Sequence, residues 1–400
     1  MNVKQLVLCA FVAFLSSEAI AQEVTNNKFG KGLINIIAKD SSYSLNFTAR
    51  FQALYTAGLD IPEFETAQDL QSSFLIRRAR LKFEGFAYSP KLWYKLQLTL
   101  SNPDMAGASV YNGNTPMLIS DAFVRWNFHK NFELWVGQTK LPGNRERMIS
   151  SGSLETVDRS LSNSNFNLDR DMGLQLRGRF PFGKQFLVRS AVAFTQGEGR
   201  NITVGNLGGY QITSRAEALP FGDFNDYEGA DFAREPKPKL SIGASYDFNG
   251  KAVKTRSVLG NFMETDTGLH ETDITTVFVD AMFKYKGWSA MVEYAKRTAD
   301  DPVARNLNGS ETGDVVNVGN GFNIQTSYLF KKNYQVTARY TAVELDREVF
   351  ENGVEKQYTL GFSKYFVGHK LKIQSDISLN DFENDISNRL LYRLQFEIQF

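Results

Sequence analysis

The 400-residue chain has one cysteine, three histidines and ten prolines, and beyond its first two dozen residues no apolar run long enough for a spanning helix, which needs about 20 residues. Each scarcity excludes something. Cys9 lies in an N-terminal apolar stretch, so a chain cleaved beyond it has no disulfide, thiolate nucleophile or cysteine-ligated metal. His129, His270 and His369 are scattered through turns and a loop, and none shares a strand face with a serine and an acid. A hydrolase site and a transition-metal site are therefore not expected, and no cofactor is implied. The formal charge of +1 argues against a nucleic-acid binder that depends on bulk positive charge. What is abundant is aromatic: 32 Phe and 16 Tyr within a 42% hydrophobic composition, too apolar for a disordered chain.

Residues 1–21 have a short n-region with Lys4, an apolar run from Leu6 to Leu15, and Ala19 and Ala21 placed as an A-x-A signal. This pattern predicts a secretory signal peptide cleaved after Ala21. A lipoprotein reading of Cys9 is disfavoured, because almost no n- or h-region precedes it. Residues 22–41 read as a short periplasmic segment, whose apolar Gly32 to Ala38 would add a strand or touch a neighbouring subunit. Residues 42–400 read as a single all-β unit.

Alternation carries that reading. Tyr43, Leu45, Phe47, Ala49, Phe51, Ala53 and Tyr55 share one parity, and Ser44, Asn46, Thr48, Arg50 and Gln52 the other, as in a strand with one apolar and one polar face. With 43–55, similar segments at 73–88, 91–100, 119–128, 132–139, 171–180, 186–195, 238–248, 251–260, 273–285, 287–297, 321–330, 334–344, 356–366, 370–379 and 388–400 make 16 expected strands. Segment 251–260 lacks clean alternation and is included partly because an up-and-down topology needs it. Short connections alternate with long ones near 56–72, 101–118, 140–170, 196–237, 261–272, 298–320, 345–355 and 380–387. An even-numbered transmembrane antiparallel barrel, with short turns at one rim and long loops at the other, produces that rhythm. A soluble sandwich also alternates, but it has no reason for a two-beat connection length. The last strand keeps Leu390, Tyr392, Leu394, Phe396, Ile398 and Phe400 on one parity, as a lipid-facing band requires. By parity Trp126 and Trp288 point outward toward an aromatic girdle, whereas Trp93 and Trp135 do not.

The segment FLIRRARLKFEG at 74–85, then Trp93 to Gln97, Asp121 to Val124, Val136 to Pro142, Asp158-Arg159-Ser160 and Arg170 to Gly173, resembles the phosphate-selective porin O and P family. The likeness covers essentially the mature chain and is most specific between residues 74 and 180. It implies a trimeric, 16-stranded bacterial outer-membrane porin whose third long loop, here residues 140–170, folds into the lumen. It also implies assembly through a C-terminal strand ending in an aromatic residue, here Phe400, that is read by the barrel assembly machinery.

On the inward parity of the expected strands lie 16 basic residues and 8 acidic ones. The mature chain totals 44 and 43, so 28 face 35 elsewhere, and near-neutrality conceals a basic lumen with acidic loops. A basic wall in a narrow aqueous channel favours anions. The expected pore-lining and anion-binding residues are Arg78, Arg80 and Lys82 at i, i+2 and i+4 on one face, extended by Arg125, Arg177 and Arg179 from neighbouring strands. In the folded-in loop, Lys140, Arg145, Arg147, Arg159 and Arg170 would narrow the pore. Against this, Glu146, Glu155, Asp158, Asp169 and Asp171 would neutralise those five bases one for one. The family's lysine clusters for phosphate have no counterpart in this loop, which holds only Lys140.

The expected function is passive diffusion of small anionic or polar solutes across the outer membrane. Two alternatives stay open: a general or carbohydrate porin, suggested by aromatics such as Phe166, and a barrel whose acidic loops, 196–237 above all, act as receptor or adhesin. The acidic stretch Asp223 to Asp231 departs from the EF-hand pattern, and solvated loop acids are favoured over calcium there.

Overall fold

The structure is a computed structural model that describes residues 23–24, 29–62, 70–183, 185–347, 349–350, 353–383 and 387–400. The expected signal peptide lies outside the described residues.

Sixteen antiparallel strands form the barrel: β1 Ser44–Pro62, β2 Gln71–Ala87, β3 Ser89–Thr99, β4 Ile119–His129, β5 Phe132–Lys140, β6 Arg170–Phe182, β7 Phe186–Thr195 and β8 Gln211–Leu219. They continue as β9 Lys239–Ala252, β10 Thr272–Tyr285, β11 Trp288–Ala299, β12 Gly319–Leu329, β13 Tyr334–Leu345, β14 Val354–Val367, β15 Leu371–Phe382 and β16 Ser387–Gln399. Each pairs with its neighbours in sequence, and β16 closes on β1 from Ser387↔Pro62 to Gln399↔Arg50. Closure leaves no unpaired edge, which is the condition for a sheet to cross a membrane. Among the described residues no helix is long and apolar enough to cross. Ile34–Ile37 adds a short strand that pairs with Glu23–Val24 and with the start of β1, so this segment does extend the sheet.

The burial pattern is that of a soluble protein turned inside out. On β16, Arg393, Gln395 and Glu397 are 7%, 2% and 0% exposed, whereas Tyr392, Leu394 and Phe396 are 39%, 39% and 40% exposed. Water-filled interiors take the polar parity, and lipid takes the apolar one. Outward aromatics pair across strands, as in Tyr55 with Phe74, Phe194 with Tyr210 and Tyr340 with Tyr358, at 4.5, 4.9 and 5.2 Å between ring centres. Trp126 and Trp288 are 50% and 53% exposed near the short-turn rim, where headgroup-level aromatics belong.

The strand count is as expected, but one strand is misplaced. Segment 251–260 contributes no barrel strand beyond the tail of β9. It carries only the pair Lys254–Arg256 with Leu259–Phe262, outside the barrel sheet. The missing stave is β8, which lies inside the expected long loop 196–237 and pairs with β7 and β9. Its outward residues after Ile212 are Ser214, Ala216 and Ala218, too small to mark an apolar face. It adds one charge of each sign to the lumen, Arg215 and Glu217, both buried.

The turn rhythm holds with one exception. At Lys286 and Gly287 both φ angles are positive, 50° and 92°, as a two-residue type I′ hairpin turn requires. Residues 220–238, by contrast, form a long connection between β8 and β9 on the short-turn rim.

Candidate functional site: an eccentric, basic pore

The loop of residues 141–169 leaves β5 and returns to β6, its neck closed by the Leu141 amide donating to the Asp169 carbonyl at 2.8 Å. It holds two short helices, Arg145–Met148 and Leu161–Phe166, the second capped by Ser160 Oγ accepting from the Asn163 amide. The loop is bound to inward side chains of β9–β15. Glu155 accepts from Ser289 Oγ at 2.6 Å, Gln325 Nε2 at 2.6 Å and Gln335 Nε2 at 2.7 Å. Arg339 donates to Thr156 Oγ1 and the Asp158 carbonyl at 2.9 and 2.8 Å, and Lys372 Nζ to the Gly152 carbonyl at 2.8 Å. Asp376 accepts from the Val157 amide at 2.9 Å. Phe166 packs against the wall together with Leu141, Leu168 and Phe278. Gly321 makes room for this helix, since a Cβ there would lie 2.5 Å from Ser162 Oγ and 2.7 Å from the Phe166 ring.

Residues 220–238 approach from the other rim and meet this loop. Asp226 is ion-paired with Arg145 at 2.8 Å and with Arg189, and Tyr227 Oη donates to Glu217. The Gly229 amide donates to the Ser153 carbonyl at 2.9 Å, and Lys284 Nζ donates to the carbonyls of Asn225 and Ala230 at 2.7 and 3.1 Å. Arg234 fastens the far end to the carbonyls of Leu329 and Phe330, both at 2.6 Å. Burial opposes the Asp226 charge, but the Arg189 and Arg145 guanidiniums more than offset it and hold the carboxyl below its ordinary range. The acidic stretch is thus engaged with arginine and backbone on the short-turn rim. It is not a free surface, which removes the basis for reading 196–237 as one acidic receptor loop.

Between the loop and β2–β6 lies a cavity of about 380 Å³. Its lining includes nine basic side chains, Arg78, Arg80, Lys95, Arg125, Lys140, Arg147, Arg159, Arg170 and Arg177, and three acidic ones, Glu84, Asp104 and Asp121. Eight of the eleven expected site residues therefore converge here. Arg80 makes a bidentate pair with Asp104 at 2.7 and 2.8 Å, and Lys95 and Arg170 share Asp121 at 3.2 and 3.0 Å. Arg147 and Arg170 share Asp169. Arg78 instead donates to Gln52 Oε1 at 2.9 Å, Arg177 to Gln175 Oε1 at 2.8 Å, and Arg159 to the carbonyls of Glu146 and Ile149 at 3.0 and 2.8 Å. Lys140 Nζ donates to three carbonyls, of Arg147, Met148 and Ile149, at 2.6, 3.1 and 3.2 Å. These four groups are held by neutral partners and not by ion pairs.

Three expected residues stand elsewhere. Lys82 is turned onto Glu84. Arg179 pairs with Asp223 at 2.8 Å near the short-turn rim, where it lines a smaller cavity of about 320 Å³. Arg145 does not narrow the pore: it is 0% exposed, bound to Glu217, Asp226 and Asp280, and anchors the loop to the wall. Nor do the loop acids neutralise its bases one for one. Only Asp169 does so, while Asp171 accepts from the amides of Gly197 and Gly199, and Glu146 from Ser160.

Parity also missed Arg77. A bulge shifts the register between Gln52↔Arg78 and Ala53↔Ile76, and the extra residue, Arg77, reaches Asp158 at 2.8 Å. Burial raises the cost of the Asp158 charge, yet Arg77 and Arg78 hold its carboxyl far below the usual range. Trp93, Phe123 and Trp135 are further lining residues absent from the expected set; the inward parity of the two tryptophans was the available signal.

A closed 16-stranded barrel with apolar exterior, polar interior and a basic cavity beside its inserted loop is an outer-membrane porin, a channel and not an enzyme. The profile of the family described as "Phosphate-selective porin O and P" matches residues 46–397, and the chain belongs to that family. No curated protein sequence matches. Among solved structures, the fold is similar to OmpF of Salmonella typhi in complex with daunomycin, at a TM-score of 0.57 and 11% identity, covering 91% of this chain and 99% of that one. It is also similar to OprB of Pseudomonas putida (TM-score 0.54, 11% identity, 89% and 94% covered) and to an anion-selective porin from Comamonas acidovorans (TM-score 0.53, 11% identity, 90% and 100% covered).

Proposed function

We propose that the porin passes small solutes with a preference for anions, through the passage between residues 141–169 and β2–β6. The observation that carries this reading is the lining of nine bases and three acids, in which Arg78, Lys140, Arg159 and Arg177 form no ion pair among the described residues. Uncompensated fixed charge lowers the barrier for the opposite sign, and several weak sites in series allow release. Arg78, Arg80, Arg125, Lys140, Arg170 and Arg177 on the wall, with Arg147 and Arg159 of the loop, are the proposed anion-contacting groups. Guanidiniums of this kind bind phosphate and carboxylate alike, through two parallel N–H donors.

The test is the reversal potential of single channels in a planar bilayer under a KCl gradient. A potential of the sign for cation preference overturns the reading. Phosphate that blocks chloride current at low concentration supports its use as a solute, and equal block by sulfate and phosphate argues for anions in general.

We also infer cleavage after Ala21, so that N-terminal sequencing of the membrane-extracted protein should begin at Gln22. A homotrimer follows from the family likeness and is checked by the mass of the detergent-solubilised particle. Recognition of the last strand by the barrel assembly machinery predicts that deleting Phe400 depletes the folded barrel from outer membranes.

A further inference from the structure

Of the four tryptophans, two face the lumen. Trp93 on β3, Arg125 on β4 and Trp135 on β5 are register partners in one row across the inner wall, Trp93↔Arg125 and Arg125↔Trp135. Arg177 on β6 stands beside them, opposite Glu133. The Arg125 guanidinium carbon is 4.7 Å from the centre of the Trp93 ring and 6.0 Å from that of Trp135, and Arg177 lies 4.1 Å from the centre of Trp135. Phe123 stacks on Trp135 at 4.8 Å with 15° between the planes. Among the described residues the only carboxylate touching the group is Glu133, 3.9 Å from Arg125 Nε and accepting from Trp135 Nε1 at 3.1 Å.

An arginine in a channel wall can be held in two ways. A carboxylate fixes it and cancels its charge, whereas an indole face fixes it and leaves the charge in place. Here indoles do most of the holding, so the guanidinium edges keep donors for a ligand. An indole facing the aqueous lumen forgoes the favourable position at headgroup level that Trp126 and Trp288 occupy. Two such rings therefore put cationic donors and aromatic carbon side by side on one wall, with Met148 and Tyr227 completing the apolar side of the cavity. Inorganic phosphate gains nothing from that carbon, because every face of it seeks a hydrogen-bond donor. An anion with a charged end and a flat apolar body meets both halves.

We propose that Trp93, Phe123, Arg125, Trp135 and Arg177 form a binding station for organic anions bearing an aromatic ring, aromatic carboxylates of the benzoate type. This rests on the anion-favouring reading above and sharpens its solute class. The guanidinium edges take the carboxylate, and the ring lies along the apolar wall.

The experiment measures block of KCl current through the full-length porin by sodium benzoate, sodium acetate and inorganic phosphate, alongside the reversal potential without them. Half-block by benzoate is expected at a concentration at least about tenfold below that of acetate or phosphate, and Trp93→Leu/Trp135→Leu should bring benzoate to within about twofold of acetate, tenfold being the effect of a single modest contact. Equal block by benzoate and acetate in a channel whose reversal potential is anion-selective overturns this inference and leaves the anion reading standing. A cation-selective reversal potential overturns both. In a Trp126→Phe/Trp288→Phe protein the remaining tryptophan fluorescence reports only on the station. It should change saturably with benzoate and not with acetate; no change with benzoate overturns the inference without any need for the double leucine variant to fold.

Discussion

The two sides of the lumen are built from the same alternating strands and come to opposite ends. Along β9–β15 the inward row is largely buried: Asp280, Lys284, Glu293, Arg297, Gln325, Arg339, Lys372 and Asp376 are nearly all matched by residues 141–169, by 220–238 or by one another. Along β2–β6 the corresponding row is less uniformly buried, with Arg80, Lys95, Arg125 and Trp135 partly exposed, and its bases outnumber its acids. A charged lumen is therefore not by itself a selective one. On the proposed reading, selectivity resides where the folded-in segments stop short of the wall.

Removing the filling should have the largest effect. Replacing residues 144–166 by a short Gly-Ser linker exposes a polar wall that water can solvate, so the barrel should persist while single-channel conductance rises several-fold and ion preference falls toward unity. Unchanged conductance would mean that the loop does not set the narrowest point.

Next in size is the anchor. Arg145→Met leaves Asp280, Glu217 and Asp226 without their shared cation, and removing one partner of a buried ion cluster costs about 3 to 5 kcal/mol. Arg215 still pairs with Asp280 and Glu217, at 2.8 Å each, which places the effect at the lower end. The expected outcome is a noisier channel and faster protease cleavage within 141–169, with the barrel's β-sheet circular dichroism retained. Cleavage at the unmodified rate would show that the loop is held by its Glu155 and Asp158 contacts instead.

The contrast between the sides also marks what the residues alone could convey. Strand period is a local property, and most staves were legible as alternation, down to the outward Trp126 and inward Trp93. Gln211–Leu219 was not, because Ser214, Ala216 and Ala218 give lipid too little side chain to register, and the requirement for an even count was met with 251–260 instead. Arg77 was hidden by a bulge, which inverts parity without any local signature. The convergence of Arg78, Arg80, Arg125 and Arg177 on one cavity was legible because it follows from facing inward, whereas that of Lys140, Arg147, Arg159 and Arg170 followed only from the family resemblance, which folds their loop into the lumen. Which of the expected bases meet carboxylates was not, since Arg145 meets those at positions 217, 226 and 280, and Lys140 meets only nearby carbonyls.

A smaller effect should come from the open side. Arg159→Gln and Arg177→Gln remove charge from groups that have no carboxylate to orphan, so stability should hardly move while the anion-to-cation permeability ratio falls, further in the double variant. Arg147→Gln serves as the comparison: it leaves Asp169 with Arg170 alone, and should shift selectivity less. If all three substitutions shift the ratio equally, pairing does not decide which bases the ions sense.

The smallest effect concerns the clasp between the two inserted segments. Asp226 is held below its ordinary value of 3.8 by Arg189 and Arg145, so its contribution is present in full above that pH and is lost as the pH falls through the lower, folded value. Channel noise should therefore be flat from pH 7 down to about 4 and rise only in stronger acid. Asp226→Asn, which keeps the shape and abolishes the charge, should show that raised noise at pH 7 and lose the acid transition. A transition near pH 6 in the unmodified porin would place the titrating group elsewhere, and would mean that the two loops are not joined through this carboxylate.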